Sequence, residues 1–192
     1  MIDALAPLCE PLHDALTQAH QTALKRAPEL TKDRRLEPVF THLRRGFAWG
    51  ELTSRELGPW VPRLTNNAGI TLAQDTYSMR VLHQLPDKSA PPPGPGIGRQ
   101  AFYANDTLSD DLFPEGDRLL ALWAFSRAGL SIRIVRPIGA WNFGRREKVD
   151  LDFILPQYSA DLENLQFTKS DEDIEITLPS EEEVDGQHGI SS

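Results

Sequence analysis

Two groups of side chains in this chain are spaced to do chemistry, and both fall between residues 127 and 152. The first is a set of six cations, Arg127, Arg133, Arg136, Arg145, Arg146 and Lys148, interleaved with Trp141 and Phe143. Guanidinium and ammonium groups neutralise phosphates or carboxylates, and exposed rings stack on bases or anchor a partner surface. The second is Asp150-Leu151-Asp152. Carboxylates at i and i+2 of a strand project from one face, where together they could hold a divalent cation such as Mg²⁺. The same residues also admit a purely structural account. In that account Trp141 and Phe143 cap a core and the arginines pair across strands with Asp150 and Asp152, each pair contributing about a few tenths of a kcal/mol.

The charge changes sign after this segment. Residues 150–192 hold twelve of the 28 acidic residues and one of the 20 Lys/Arg, a net charge of −11, leaving +3 on the rest of the chain. A mildly basic body with an acidic end suggests a surface for an anionic partner, nucleic acid or acidic protein, modulated by the chain's own tail.

The elements that would position these groups follow from periodicity. Apolar residues at three- and four-residue spacing from Glu10 to Ala27 predict a helix ended by Pro28. Leu36, Val39, Phe40, Leu43 and Phe47 predict a second helix, begun near Pro38, stopped by Gly50, and carrying Arg44 and Arg45 on its open face, where with Arg34 and Arg35 they would extend the basic surface. Thr53-Ser54-Arg55-Glu56 reads as a capping box opening a short third helix. Alternation from Tyr77 to Leu85 predicts a strand, and Pro91-Pro92-Pro93-Gly94-Pro95-Gly96 an exposed extended loop at 90–98. Gln100–Ala104 reads as a short strand, and Pro114–Ala128, rich in Leu with Trp123 and Phe125, as a long helix stopped by Gly129. Strands at 130–136 and 149–155 then form an antiparallel pair around a loop containing Gly139 and Gly144. The fold class expected is α+β: helices over residues 8–64, and a mostly antiparallel sheet from 70–85, 100–104, 130–136 and 149–155 packed on the 114–128 helix. It would form one domain over 1–170, followed by a disordered acidic tail at 171–192.

In the order helix, strand, glycine-containing turn, then Asp-x-Asp, residues 119–152 resemble the nucleotidyltransferase superfamily. The resemblance implies a metal at Asp150 and Asp152 and nucleotide at the turn. Where that family has Gly-Ser, this chain has Gly139-Ala140, and a third carboxylate would have to be Asp173 or Glu175.

Other chemistry is sparse. His13, His20, His42, His83 and His188 show no metal-ligand spacing, and Cys9 has no activating histidine motif and allows no internal disulfide. Gly94–Gly98 lacks the Lys-Ser/Thr of a phosphate loop. With no secretory leader pattern and no apolar run of the roughly 18 residues a membrane span needs, the expected location is cytoplasmic. The leading expectation is a non-enzymatic binding or accessory protein whose Arg133, Arg136, Trp141, Phe143, Arg145, Arg146 and Lys148 face an anionic partner. The alternatives are the metal-dependent enzyme and a structural subunit whose Trp141 and Phe143 meet another chain.

Overall fold

A six-stranded sheet organises the computed structural model, which describes residues 1–65, 69–105 and 117–162. The strands lie in chain order: β1 (Val61–Thr65), β2 (Gly69–Gln74), β3 (Tyr77–His83), β4 (Asp117–Ser126), β5 (Gly129–Pro137) and β6 (Val149–Ile154). All neighbours are antiparallel except β3 and β4, which run parallel and so require a crossover. That crossover carries the Pro-rich loop and α4 (Ile97–Ala104) across one face of the sheet. The other face receives the N-terminal helices: α1 (Ile2–Leu5), α2 (Cys9–Arg26) and α3 (Glu37–Thr53). A last turn, α5 (Ser159–Leu162), follows β6. The α+β class is as expected. Residues 171–192, read as the tail, lie outside the described residues.

Each face has its own core. Leu12, Leu16 and Leu52 from the helices meet Leu72, Met79, Val81, Leu119, Trp123, Ile132 and Ile134 on the larger side. On the α4 side, Phe102, Tyr103 and Ala90 meet Leu120, Leu122, Val135 and Trp141. Strand β4 therefore buries both faces, and residues 118–123 are buried without a break.

That burial overturns the expected helix at 114–128, whose described part is β4. A strand covered on both sides shows a continuous apolar run rather than alternation, and over short lengths this run cannot be told from a buried helix. Gly129 turns a hairpin at φ +108° instead of ending a helix. Residues 100–104 belong to α4 rather than to a strand. Residues 70–85 form a hairpin of β2 and β3 turning at Asp75-Thr76. The second helix runs through Gly50 to Thr53, and the Thr53 hydroxyl donates back to the carbonyls of Trp49 and Gly50 rather than opening a new helix. Pro62 sits in β1, at the sheet edge, where a missing N–H breaks no inner ladder.

Candidate functional site: the loop between β5 and β6

Pro137 ends β5 without an N–H to donate, and the pairing slips there. Arg136 faces Leu151, but Pro137 faces Val149, so Asp150 is an extra residue at a bulge. The slip decides what the two aspartates can do. Asp152 lies opposite Val135, on the α4 side, and forks onto Arg133 with Oδ1–Nε 2.7 Å and Oδ2–Nη2 2.6 Å. Asp150 forks onto Arg136 at 2.8 and 2.7 Å. Arg136 lies opposite Leu151, which packs on the larger core, and it also donates to Asp117 at 3.1 Å. The carboxylates thus go to different arginines near opposite faces, correcting the expectation that they share one. Each carboxylate is taken up by its own guanidinium, and among the described residues no three His, Cys, Asp or Glu side chains are grouped to hold a metal ion. The nucleotidyltransferase-like order fails as well, because its leading helix is β4.

Arg133 anchors more than its own strand pair. It also pairs with Glu147 and donates from Nη1 to the Lys88 carbonyl at 3.0 Å. Glu147 in turn accepts from the Ala90 N–H at 2.7 Å. One guanidinium thereby ties the β5–β6 loop to the Pro-rich loop. The bonds from Asp152 and then Glu147 raise the Arg133 pKa despite burial, and Asp150 and then Asp117 do the same for Arg136, so both stay charged.

Trp141 is a second anchor. It is 7% exposed and packs on Tyr103 with ring centroids 5.0 Å apart, while the Tyr103 hydroxyl donates to the Pro91 carbonyl. Beyond Trp141 the loop turns outward. Arg145 N–H closes a turn onto the Asn142 carbonyl, and Gly144 adopts φ +75°, a region that favours glycine. The turn leaves Phe143 75% exposed, with Arg145, Arg146 and Lys148 exposed around it and no carboxylate partner among the described residues. Of the seven residues read from sequence as an anion-facing surface, Phe143, Arg145, Arg146 and Lys148 form this tip. Arg133 and Arg136 hold carboxylates, and Trp141 is core.

A cleft of about 380 Å³ opens between the two tied loops, lined by the buried or half-buried Leu85, Ala90, Pro92 and Trp141 and by the exposed Phe143, Arg145 and Arg146. A larger cleft of about 850 Å³ shares the wall at Leu85, Asp87, Ser89 and Glu147 and reaches Arg44 and His83.

Arg44 is the residue that sequence reading misplaced most. It is 5% exposed, not on an open helix face, and its guanidinium lies 4.7 Å from the Phe40 ring centroid and 5.0 Å from that of Trp123. It pairs with Glu37 and donates to Thr41 Oγ1 at 2.9 Å. His20 stacks on Phe125 at 3.9 Å, and His83 stands edge-on to Trp123 at 4.6 Å. Burial, and then the Arg44 charge, lowers the pKa of both histidines. Arg35, also counted toward a basic surface, forks onto Asp33. The one signal for the Arg44 arrangement was its place four residues after Phe40 and three before Phe47 in a helix with aromatic neighbours.

Among the described residues no helix is long and apolar enough to cross a membrane. No protein-family model, curated protein or solved structure matches this chain.

Proposed function

We propose that this chain is a non-enzymatic binding protein whose 142–148 loop engages an acidic surface on a partner protein. The observation that carries this reading is the loop tip itself. Phe143 projects into solvent with Arg145, Arg146 and Lys148 beside it, on a turn held from below by Trp141 and Arg133. Aromatic and arginine side chains on a pre-organised support are the usual anchors of protein interfaces, because little ordering entropy remains to be lost on binding. Single-stranded nucleic acid fits less well. It calls for several stacking rings along a continuous cationic groove, and here Trp141 is buried while Arg133 and Arg136 are neutralised.

The test is binding of the full chain to poly-glutamate and to a single-stranded DNA oligonucleotide at matched ionic strength. Poly-glutamate should bind, and R145E/R146E should weaken it by about tenfold or more, the size expected when two rim charges reverse. Tighter retention of DNA than of poly-glutamate, with a steep salt slope, would transfer the reading to nucleic acid. Binding that ignores R145E/R146E would end it.

A further inference from the structure

We propose that the acidic apolar segment 171–178 of this same chain is the occupant of the 380 Å³ cleft between the Pro-rich loop and the 142–148 loop. The inference rests on the reading of that loop as a receiver of acidic protein segments, and it names one such segment.

Charge is the first argument. Residues 163–192 contain nine Asp/Glu and one Lys, which accounts for the whole net charge of −8, so residues 1–162 balance. The cations at the loop tip, which have no carboxylate partner among the described residues, belong to the same chain as this anionic segment. Asp87 and Glu147 also line the cleft, but both are engaged. Asp87 accepts from the Ser89 N–H and hydroxyl at 3.0 and 2.6 Å, and Glu147 holds Arg133 and the Ala90 N–H.

Pattern is the second argument. Asp171-Glu172-Asp173-Ile174-Glu175-Ile176-Thr177-Leu178 interleaves carboxylates with three aliphatic side chains. The cleft offers the matching chemistry, with the buried or half-buried apolar Leu85, Ala90, Pro92 and Trp141 and the exposed cations Arg145 and Arg146 all in its lining. A cavity of this size lies at the small end of ligand sites, roughly 300–1,000 Å³, and suits a few side chains rather than a domain.

Reach is the third argument. Leu162, the last described residue, is buried in the larger core. The twelve residues from there to Ile174 extend up to about 40 Å, against a radius of gyration near 15 Å for a domain this long. A tether of this length supplies an effective concentration on the order of 1 mM, so even a weak contact is populated.

The experiment places a nitroxide at Ile176→Cys in the isotope-labelled full chain. Cys9 is fully buried and burial pushes its thiol up to about 11, so the label goes to the new site. Amides of Ser89, Ala90, Asn142, Gly144 and Arg146 should lose most of their intensity. They should recover in R145E/R146E and in about 0.5 M NaCl, where the Debye length falls to roughly 4 Å. Unaffected amides at these positions, or effects centred on α2 and α3, overturn the proposal. Mixing labelled chain with isotope-labelled unmodified chain must leave the same amides sharp; equal broadening there would make a second copy the occupant and overturn it too. Poly-glutamate separates the two readings. Broadening with no poly-glutamate binding, even once Asp171, Glu172, Asp173 and Glu175 are replaced by their amides, upholds the tail contact and defeats the partner reading, whereas poly-glutamate binding without broadening does the reverse. If both hold, replacing Asp171, Glu172, Asp173 and Glu175 by their amides tightens poly-glutamate binding about tenfold, as removal of a competing tethered ligand requires.

Discussion

Arg133 and Glu147 pair at a point where both side chains are largely shielded, 13% and 16% exposed, and this contact joins the hairpin to the Pro-rich loop. The companion pair of Arg136 and Asp150 is 33% and 37% exposed, and among the described residues Arg136 reaches only Asp150 and Asp117, both on the sheet. The two forks look alike in sequence and should differ sharply in stability.

Arg133→Ala leaves the shielded Glu147 carboxylate without its cation, a change that costs about 3 kcal/mol when a buried pair is broken. Arg136→Ala, in a solvent-screened pair, should cost about 0.5 kcal/mol. Urea unfolding of the two variants checks the contrast, and equal losses would contradict it. Arg133→Lys should not rescue, because an ammonium cannot serve Asp152, Glu147 and the Lys88 carbonyl from one planar fork.

Asp150→Asn and Asp152→Asn should be additive in stability within about 0.5 kcal/mol, as for independent sites. The bulge sends them to different arginines, so neither senses loss of the other. Unfolding midpoints with and without Mg²⁺ give the readout. Non-additive losses that appear only with Mg²⁺ would restore a shared metal site.

The bulge also shows where the sequence stops being legible. The hairpin of 130–136 with 149–155 was readable from alternation, but the facing of Asp150 was not, because the slip comes from Pro137 meeting a particular register. Helix α2 was readable because only one of its faces is buried. Strand β4 was misread because α4 covers its second face, and nothing within 117–126 announces a helix contributed by 97–104. At the site the exposed half, Phe143 with Arg145 and Arg146, was visible in composition. Its supports depended on partners far along the chain: Tyr103 for Trp141, Lys88 and Glu147 for Arg133.

Stability should fall on mild acidification. Burial lowers the pKa of His13, His20 and His83, so the folded chain favours neutral rings at all three. Their contribution is complete above about pH 6.5, where the unfolded chain is neutral as well. Below that the unfolded chain takes up protons that the folded chain resists, and stability drops by up to about 1.4 kcal/mol per pH unit for each ring until its folded pKa is passed. Urea titrations at several pH values from neutral downward measure the slope. His20→Phe, which keeps a ring on Phe125, should make it shallower, and an unchanged slope would remove His20 from the account.

Arg44 couples to that slope. Its charge opposes protonation of His20 and His83, while Glu37 partly offsets it. Arg44→Met keeps volume among Phe40, Trp123 and Phe125 and removes a buried cation whose Nε has no hydrogen-bond partner among the described residues, so stability at neutral pH should change by less than about 1.5 kcal/mol. With the cation gone, the folded pKa of both histidines rises and acid destabilisation becomes weaker. An acid loss that is unchanged or steeper in Arg44→Met would show that the Arg44 charge is not what holds these two pKa values down.

Trp141 and Phe143, two residues apart, should separate folding from binding. Trp141→Ala removes a ring packed between Tyr103 and the sheet and should cost about 3–5 kcal/mol. Phe143→Ala removes a ring that is three-quarters exposed, so stability should stay within about 0.5 kcal/mol. Its effect should instead appear in affinity, with poly-glutamate binding merely weakened and an acidic peptide bearing aliphatic side chains losing more than tenfold, the scale of an aromatic anchor worth over 1.4 kcal/mol. Calorimetric titration of both probes against the same variant distinguishes the roles. If Phe143→Ala unfolds as readily as Trp141→Ala, the ring belongs to the core; if the aliphatic peptide binds the variant undiminished, the tip acts through charge alone.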